Sequence, residues 1–373
     1  MLGALPMPVD AATFRARRAS AADVARTRGV AAVLVSPGSD LTYLTGHRIH
    51  DSERLTCLVL ASDGRATLVV PELEGPRARV AAPGLDIRTW SETDDPIALA
   101  ASHVPGTGDV AVGDRMWAAF VLGLEARLGG RRFVSASPIV VPLRMRKDEG
   151  EIAALRAAGE AADRVYARIR EAAFAGRSES DLSRELRGLL AAEGHDDTFA
   201  IVASGPNGAS PHHDAGDRRM AAGDTVVLDF GGTRGWYCSD ITRTVHVGDA
   251  VDAERRRVHD VVSRAQEAGY AAARAGASAE SVDAAARRVI DDAGYGAYFI
   301  HRVGHGIGLD GHEDPYLVRG NGVLLEPGMA FSIEPGVYLP DRFGVRIEDI
   351  AYIDASGVAR PLNAADRSLA IVR

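Results

Sequence analysis

Apolar positions along the chain follow two rhythms, and the change from one to the other divides it. Ala31 to Val35, Leu55 to Leu60 and Ala66 to Val70 are short, nearly continuous apolar runs separated by Gly, Pro and polar residues, as buried strands are. Helical spacing accompanies them, as from Ala21 to Arg28, so Phe14 to Ile139 reads as a small α/β region. Beyond an apolar connector at Pro142 to Lys147 the rhythm lengthens. Ile152, Leu155, Ala162, Val165 and Ile169 form one stripe at helical spacing, and Asp148 followed three residues later by Glu151 is a capping box that starts a long helix near Asp148. That stripe faces a core. The predicted boundary separates residues 1–145 from residues 146–373.

The second part repeats itself. AGRSESDLSRELRGLLAAEG from Ala175 aligns with AGASAESVDAAARRVIDDAG from Ala275, setting Gly176 on Gly276, Ser178 on Ser278, Leu182 on Val282, Leu190 on Ile290 and Gly194 on Gly294 at a constant offset of 100 residues. Solenoid units run about 20 to 50 residues, so this period predicts two similar halves, each a helix pair followed by strands. Each half also carries an acidic hairpin. VVLDFGGTRGWYCSDITRT, Val226 to Thr244, reads as two strands joined by a turn-rich Gly231 to Gly235; a turn centred between Arg234 and Gly235 sets Asp229 opposite Asp240. In FSIEPGVYLPDRFGVRIED, Pro335, Gly336, Pro340 and Gly344 mark the turn, and centring it on Asp341 sets Glu334 opposite Glu348.

Facing carboxylates lie about 5 Å apart at Cβ and repel unless something positive sits between them. A single Asp on a strand is usually solvated and a single buried His is usually structural. Here Asp229, Glu334 and Glu348 follow the runs VVL, FSI and VRI, where unpaired charge is costly to bury. Between the hairpins lies HRVGHGIGLDGHEDP, with His305 flanked by glycines that let backbone approach closely. Four carboxylates and one imidazole make an oxygen-rich site for two divalent cations, manganese rather than structural zinc. Two such ions about 3.5 to 4 Å apart, bridged by water, make a hydrolytic nucleophile. A pseudo-twofold relation between the halves would bring both acid pairs to one centre. The loop SGPNGASPHHDAGD adds a general acid or substrate ligand in His212 or His213, and the spacing does not choose between them.

SGPNGASPHH, VVLDFGG followed by SDITRT, HRVGHGIGLDGHE, FSIEPGVY and FGVRIED together resemble the pita-bread metallopeptidases, most closely the Xaa-Pro dipeptidase (prolidase) and aminopeptidase P branch. The resemblance covers nearly the whole chain. It implies an α/β (α+β) fold, with an N-terminal creatinase-like domain followed by a pita-bread catalytic domain of pseudo-twofold halves. It implies Asp229, Asp240, His305, Glu334 and Glu348 as ligands of a dinuclear site, Asp240 and Glu348 bridging, for two Mn(2+) ions with Co(2+), Zn(2+) or Fe(2+) as alternatives. It favours His212 over His213, sets His212, His301, His312 and Arg346 against the substrate, and gives Glu334 a proton-transfer role. The implied activity is hydrolysis of the Xaa-Pro bond in dipeptides or short peptides by a hydroxide held between the metals. The alternatives are an Xaa-Pro aminopeptidase acting on longer peptides and another C–N hydrolase of the creatinase-like fold. A non-catalytic binding protein is expected to have lost ligands, and here all five are present. Tyr43-Leu44-Thr45-Gly46-His47 resembles an N-domain segment near the active-site mouth, where His47, His50 and Asp51 either touch substrate or sit in a solvated loop.

Composition narrows the partners. With 43 Lys and Arg against 51 Asp and Glu the net charge is −8, so a general footprint for nucleic acid or an anionic membrane is absent and a small-molecule partner is expected, which the resemblance makes a small peptide. A homodimer is expected. Cys57 and Cys238 are too few for a disulfide framework, which fits a reducing compartment. In MLGALPMPVDAATFRARRAS the basic residues follow the apolar start, the reverse of a secretory signal, and no apolar run reaches membrane-spanning length. A cytoplasmic protein is expected.

Overall fold

The structure, a computed structural model, describes residues 10–373; the start of the N-terminal stretch read above lies outside the described residues. The chain forms two compact units that meet in sequence between Arg144 and Met145. Among the described residues no helix is long and apolar enough to cross a membrane. Both cysteines are free.

The first unit is built on a six-stranded sheet of β1 (Val30–Val35), β2 (Cys57–Ala61), β3 (Ala66–Pro71), β4 (Asp86–Trp90), β5 (Asp109–Val112) and β6 (Phe133–Ser135), in the order β4-β3-β2-β1-β5-β6. All six residues of β1 are buried, as its unbroken apolar run requires of a central strand. The helix expected from Ala21 to Arg28 is the second half of a longer one, Ala11–Thr27, capped by Asp10, whose side chain accepts from the Thr13 amide. Its first half escaped the apolar pattern because two arginines face inward. Arg18 Nη1 donates to the Leu44 carbonyl at 2.8 Å, and the Arg17 guanidinium lies 4.2 Å from the Tyr43 ring centroid.

In the second unit the helix Glu149–Ile169 begins with the reciprocal Asp148–Glu151 capping box, and Leu155, Ala162, Val165 and Ile169 of the predicted stripe are buried. The repeat appears as two equivalent helices, Glu179–Ala192 and Ala279–Asp292, offset by 100 residues and N-capped at Ser178 and Ser278. Gly176 and Gly276 share φ near +80° (81° and 82°), a backbone that glycine adopts freely. The strands are β7 (Asp196–Ser204), β8 (Thr225–Arg234), β9 (Tyr237–Val247), β10 (Gly304–Gly306), β11 (Glu313–Leu317), β12 (Ala330–Ile333), β13 (Gly336–Leu339), β14 (Phe343–Arg346), β15 (Asp349–Ile353), β16 (Ala359–Pro361) and β17 (Ala370–Val372). They form sheets β17-β9-β8-β7 and β11-β10-β12-β15-β16, with β13-β14 as a separate ribbon. An isolated antiparallel bridge between Thr242 and Glu348 ties the first sheet to the β14–β15 junction.

The first hairpin differs from its expected register. Its turn is Gly235-Trp236, with φ of +56° and +78°, so Arg234 pairs with Tyr237, Asp229 faces Thr242 and Asp240 faces Gly231. Two consecutive positive φ angles suit the right-handed twist of a two-residue hairpin. Gly231 and Gly232, read as turn residues, lie inside β8. They are small because of close approach: a side chain at Gly231 would run into the Ser239 carbonyl, and one at Gly232 would come within 2.9 Å of the Asp196 carbonyl. The shift is by two residues, so Asp229 and Asp240 keep a common face as diagonal neighbours. The second hairpin keeps its expected centre at Asp341, pairing Gly336 with Arg346 and Ile333 with Asp349.

Candidate metal centre

The nine residues that the resemblance assigns to ligand or substrate-contacting positions line one cavity of about 710 Å³, and His213, His47, His50 and Asp51 are not part of its lining. Asp229 and Asp240 project from one face of β8 and β9. Glu348 is held against them by its backbone, whose N–H donates to the Thr242 carbonyl at 3.0 Å, and by Thr242 Oγ1, which donates to Glu348 Oε2 at 2.7 Å. His305, in the middle of β10, has Nδ1 3.0 Å from the Gly306 carbonyl, which holds the ring with Nε2 turned toward the acids. Glu334, just after β12, accepts from Ser332 Oγ at 3.0 Å and lies 3.3 Å from His305 Nε2. Ligand atoms of Asp229, Asp240 and Glu348 lie within 4.8 Å of one another, as do those of His305, Glu334 and Glu348, and those of Asp240, His305 and His312.

These carboxylates are short of positive charge. Asp229 Oδ1, Asp240 Oδ1 and Glu348 Oε1 are buried with no hydrogen-bond partner. Burial first, then repulsion from neighbouring acids, pushes the Asp240 and Glu348 carboxyls well above the usual range. Burial also works upward on Glu334, but the hydrogen bond with His305 and the charges of His305, His301 and Arg346 outweigh it and hold Glu334 at about 2. Buried acids that lack partners are costly unless cations join them, and oxygen ligation with one imidazole suits divalent ions of the manganese type. The residues present therefore fit a metal pair.

Arg346 braces the site on several sides. Nη2 meets Asp229 Oδ2 at 2.6 Å, Nη1 meets the Tyr338 hydroxyl at 2.8 Å and Nε meets Thr242 Oγ1 at 3.2 Å. Burial keeps the Tyr338 phenol protonated, pushed up to about 12, so it accepts from Arg346 and donates to His301 Nε2 at 2.9 Å. His301 Nδ1 in turn donates to the Arg302 carbonyl at 2.7 Å. His312 packs against His305, with ring centroids 3.9 Å apart and the rings tilted by 47°. Desolvation in the cavity mouth, then His305, pushes His312 down to about 4, so the ring is neutral although one edge stays exposed. His212 is exposed on the cavity wall, while His213 turns inward to Glu179, Nε2 to Oε2 at 2.8 Å. Sequence reasoning missed Thr242, Ser332 and Tyr338. The first two were within reach, because each sits two residues from an acid on the same strand face.

Acids gathered around an imidazole where two sheets meet, with further histidines on the cavity wall, define a metal-dependent hydrolase of two-domain architecture. Residues 153–355 match Metallopeptidase family M24 and residues 17–146 match the Creatinase/Prolidase N-terminal domain. The chain belongs to family M24: it is a metallopeptidase with the pita-bread fold and a creatinase-like N-terminal domain. It is 46% identical over 354 residues to the probable dipeptidase PepE of Mycobacterium tuberculosis, covering 93% of this chain and 94% of that one. It is 34% identical to the Xaa-Pro dipeptidase of Lactobacillus delbrueckii subsp. lactis, covering 88% and 92%. The crystal structure of dipeptidase PepE from Mycobacterium ulcerans superposes with a TM-score of 0.92 at 42% identity, covering 98% of this chain and 99% of that one.

Proposed function

We propose that this metallopeptidase is a dinuclear dipeptidase that hydrolyses the bond before proline. The observation that carries this reading is the convergence of three unpartnered carboxylate oxygens and the His305 Nε2 in the wall of a substrate-sized cavity. Relatives named as a dipeptidase and an Xaa-Pro dipeptidase along most of their length support the substrate class. Asp229, Asp240, His305, Glu334 and Glu348 would hold two divalent ions, most simply manganese; their ligand atoms fall into two overlapping groups, Asp229 with Asp240 and Glu348, and His305 with Glu334 and Glu348. The ions, when bound, supply a hydrolytic nucleophile and polarise the scissile carbonyl. The chain's own residues do the rest. Glu334, ionised, takes a proton from the attacking water and passes it to the leaving imino nitrogen; His212 and His312 position the carbonyl; Arg346 fixes Asp229 and Thr242, and through Thr242 the Glu348 carboxylate.

Manganese-loaded protein assayed on Xaa-Pro dipeptides and Xaa-Pro-containing tripeptides tests this. Dipeptides should be cleaved faster, chelation should abolish turnover, and manganese or cobalt should restore it, with up to two ions per chain. Protein that holds no metal after reconstitution, or that prefers tripeptides, overturns the reading.

A further inference from the structure

A dipeptide carries its carboxylate one residue beyond the scissile bond, and the cavity that must receive it contains Asp229, Asp240, Glu334 and Glu348. The ions of the proposed pair would be engaged with these acids and with the scissile carbonyl, so the carboxylate needs a cation of its own. Two arginines line the cavity, and the guanidinium of Arg346 already holds Asp229, Tyr338, Thr242 and the Pro211 carbonyl. That leaves Arg302. Among the described residues its guanidinium has no ion pair or hydrogen bond, and it lies over the Tyr316 ring on β11, 4.2 Å from the centroid. Stacking on an aromatic face fixes the plane of an arginine without consuming its N–H donors. Its backbone, meanwhile, is tied to the site, because the Arg302 carbonyl accepts from His301 Nδ1. The result is an oriented, half-buried fork with free donors in an otherwise acidic cavity, suited to a planar carboxylate held by two parallel hydrogen bonds.

We propose that Arg302, held against Tyr316, binds the substrate's C-terminal carboxylate and thereby measures peptide length. The inference rests on the dipeptidase reading. A tripeptide presents an amide carbonyl at that point, which an arginine binds far less well, so the residue makes the enzyme a dipeptidase rather than an aminopeptidase.

The test uses an Xaa-Pro dipeptide, the same dipeptide as its C-terminal amide, and metal-loaded enzyme. Wild type should prefer the free acid. Arg302→Gln should raise KM for the acid roughly 10- to 100-fold, the worth of a charge-assisted hydrogen bond, with a smaller change in kcat. The acid-to-amide ratio of kcat/KM should fall by the same factor. Arg302→Lys should recover part of it, and Tyr316→Leu, which removes the platform and leaves the charge, should shift the ratio less than Arg302→Gln. Metal content and melting temperature of each variant separate these effects from misfolding. Wild type that cleaves no Xaa-Pro dipeptide overturns the dipeptidase reading and this inference with it. Wild type that cleaves the dipeptide without preferring acid over amide, or variants that lower both substrates equally through kcat, overturns the role of Arg302 alone.

Discussion

Glu348 and Asp349 are sequence neighbours, both at most 1% exposed, and their surroundings are opposite. Glu348 has one oxygen on Thr242, the other unpartnered, and acids for company. Asp349, pointing the other way out of the strand, has Oδ1 on Arg243 Nη2 at 2.6 Å and Oδ2 on Arg367 Nε at 2.6 Å, with Gln266 Nε2 at 3.2 Å. Arg243 also donates to the carbonyls of Thr242 and Glu348, so the saturated carboxylate fixes the backbone on which the unsaturated one stands. Burial alone does not separate a functional acid from a structural one. Whether its oxygens have partners does.

The largest expected effect breaks that comparison most directly. Glu348→Gln should lower kcat/KM by about 10³-fold or more and reduce bound metal, since it removes a charge shared by both ions. The metal-free variant should be no less stable than wild type, because a repelling charge has gone. Asp349→Asn should do the reverse. It leaves Arg243 buried without its counter-charge, and breaking such a pair costs about 3–5 kcal/mol, which urea unfolding of the metal-free proteins would register. Equal destabilisation by the two substitutions would show that the two acids are not different in kind.

The sequence carried one side of this contrast well. Facing acid pairs, glycines around His305 and the 100-residue repeat pointed to the side chains that the structure gathers in one cavity, and a register difference of two in the first hairpin left Asp229 and Asp240 on their common face because side chains alternate with period two. An error of one would have placed them on opposite faces. The structural side was illegible. Arg243 meets Asp349 across 106 residues and Arg346 meets Asp229 across 117, and no local pattern announces a partner at that distance. The same limit hid Tyr338, which sits beside the FSIEPG motif but draws its role from Arg346 and His301. The glycines of β8 misled for a related reason: their smallness answers to the backbone of β9 and β7, and composition alone reads it as a turn.

A smaller effect sharpens the line between ligand and wall. His312 belongs to one possible ligand group with Asp240 and His305, yet its ring is partly exposed where the five proposed ligands lie deeper. His312→Ala should leave metal content near normal and lower kcat/KM for Xaa-Pro dipeptides by about 10²-fold, as losing one positioned donor does. Elemental analysis decides: loss of an ion in His312→Ala would move that residue to the ligand side.

The smallest expected effect concerns a third buried acid of the saturated kind. Glu179, whose side chain is 0% exposed, accepts from the Ser204 amide and hydroxyl, Asn207, His213 and the Gly216 amide. Burial pushes its carboxyl up, but these donors outweigh that and hold it below the usual range, so it is ionised and His213 donates to it. The carboxylate thus pins both ends of the loop that carries His212 into the cavity. His213→Ala removes one donor of several from a partly exposed position, and the others keep the loop closed. Its kcat/KM should fall only a few-fold, with metal content unchanged, whereas His212→Ala should cost about 10²-fold if that ring positions the scissile carbonyl. His213→Gln, which restores a donor, should recover most of the small loss. Equal damage from His212→Ala and His213→Ala would mean that the loop's shape, and not the His212 imidazole, is what the reaction needs.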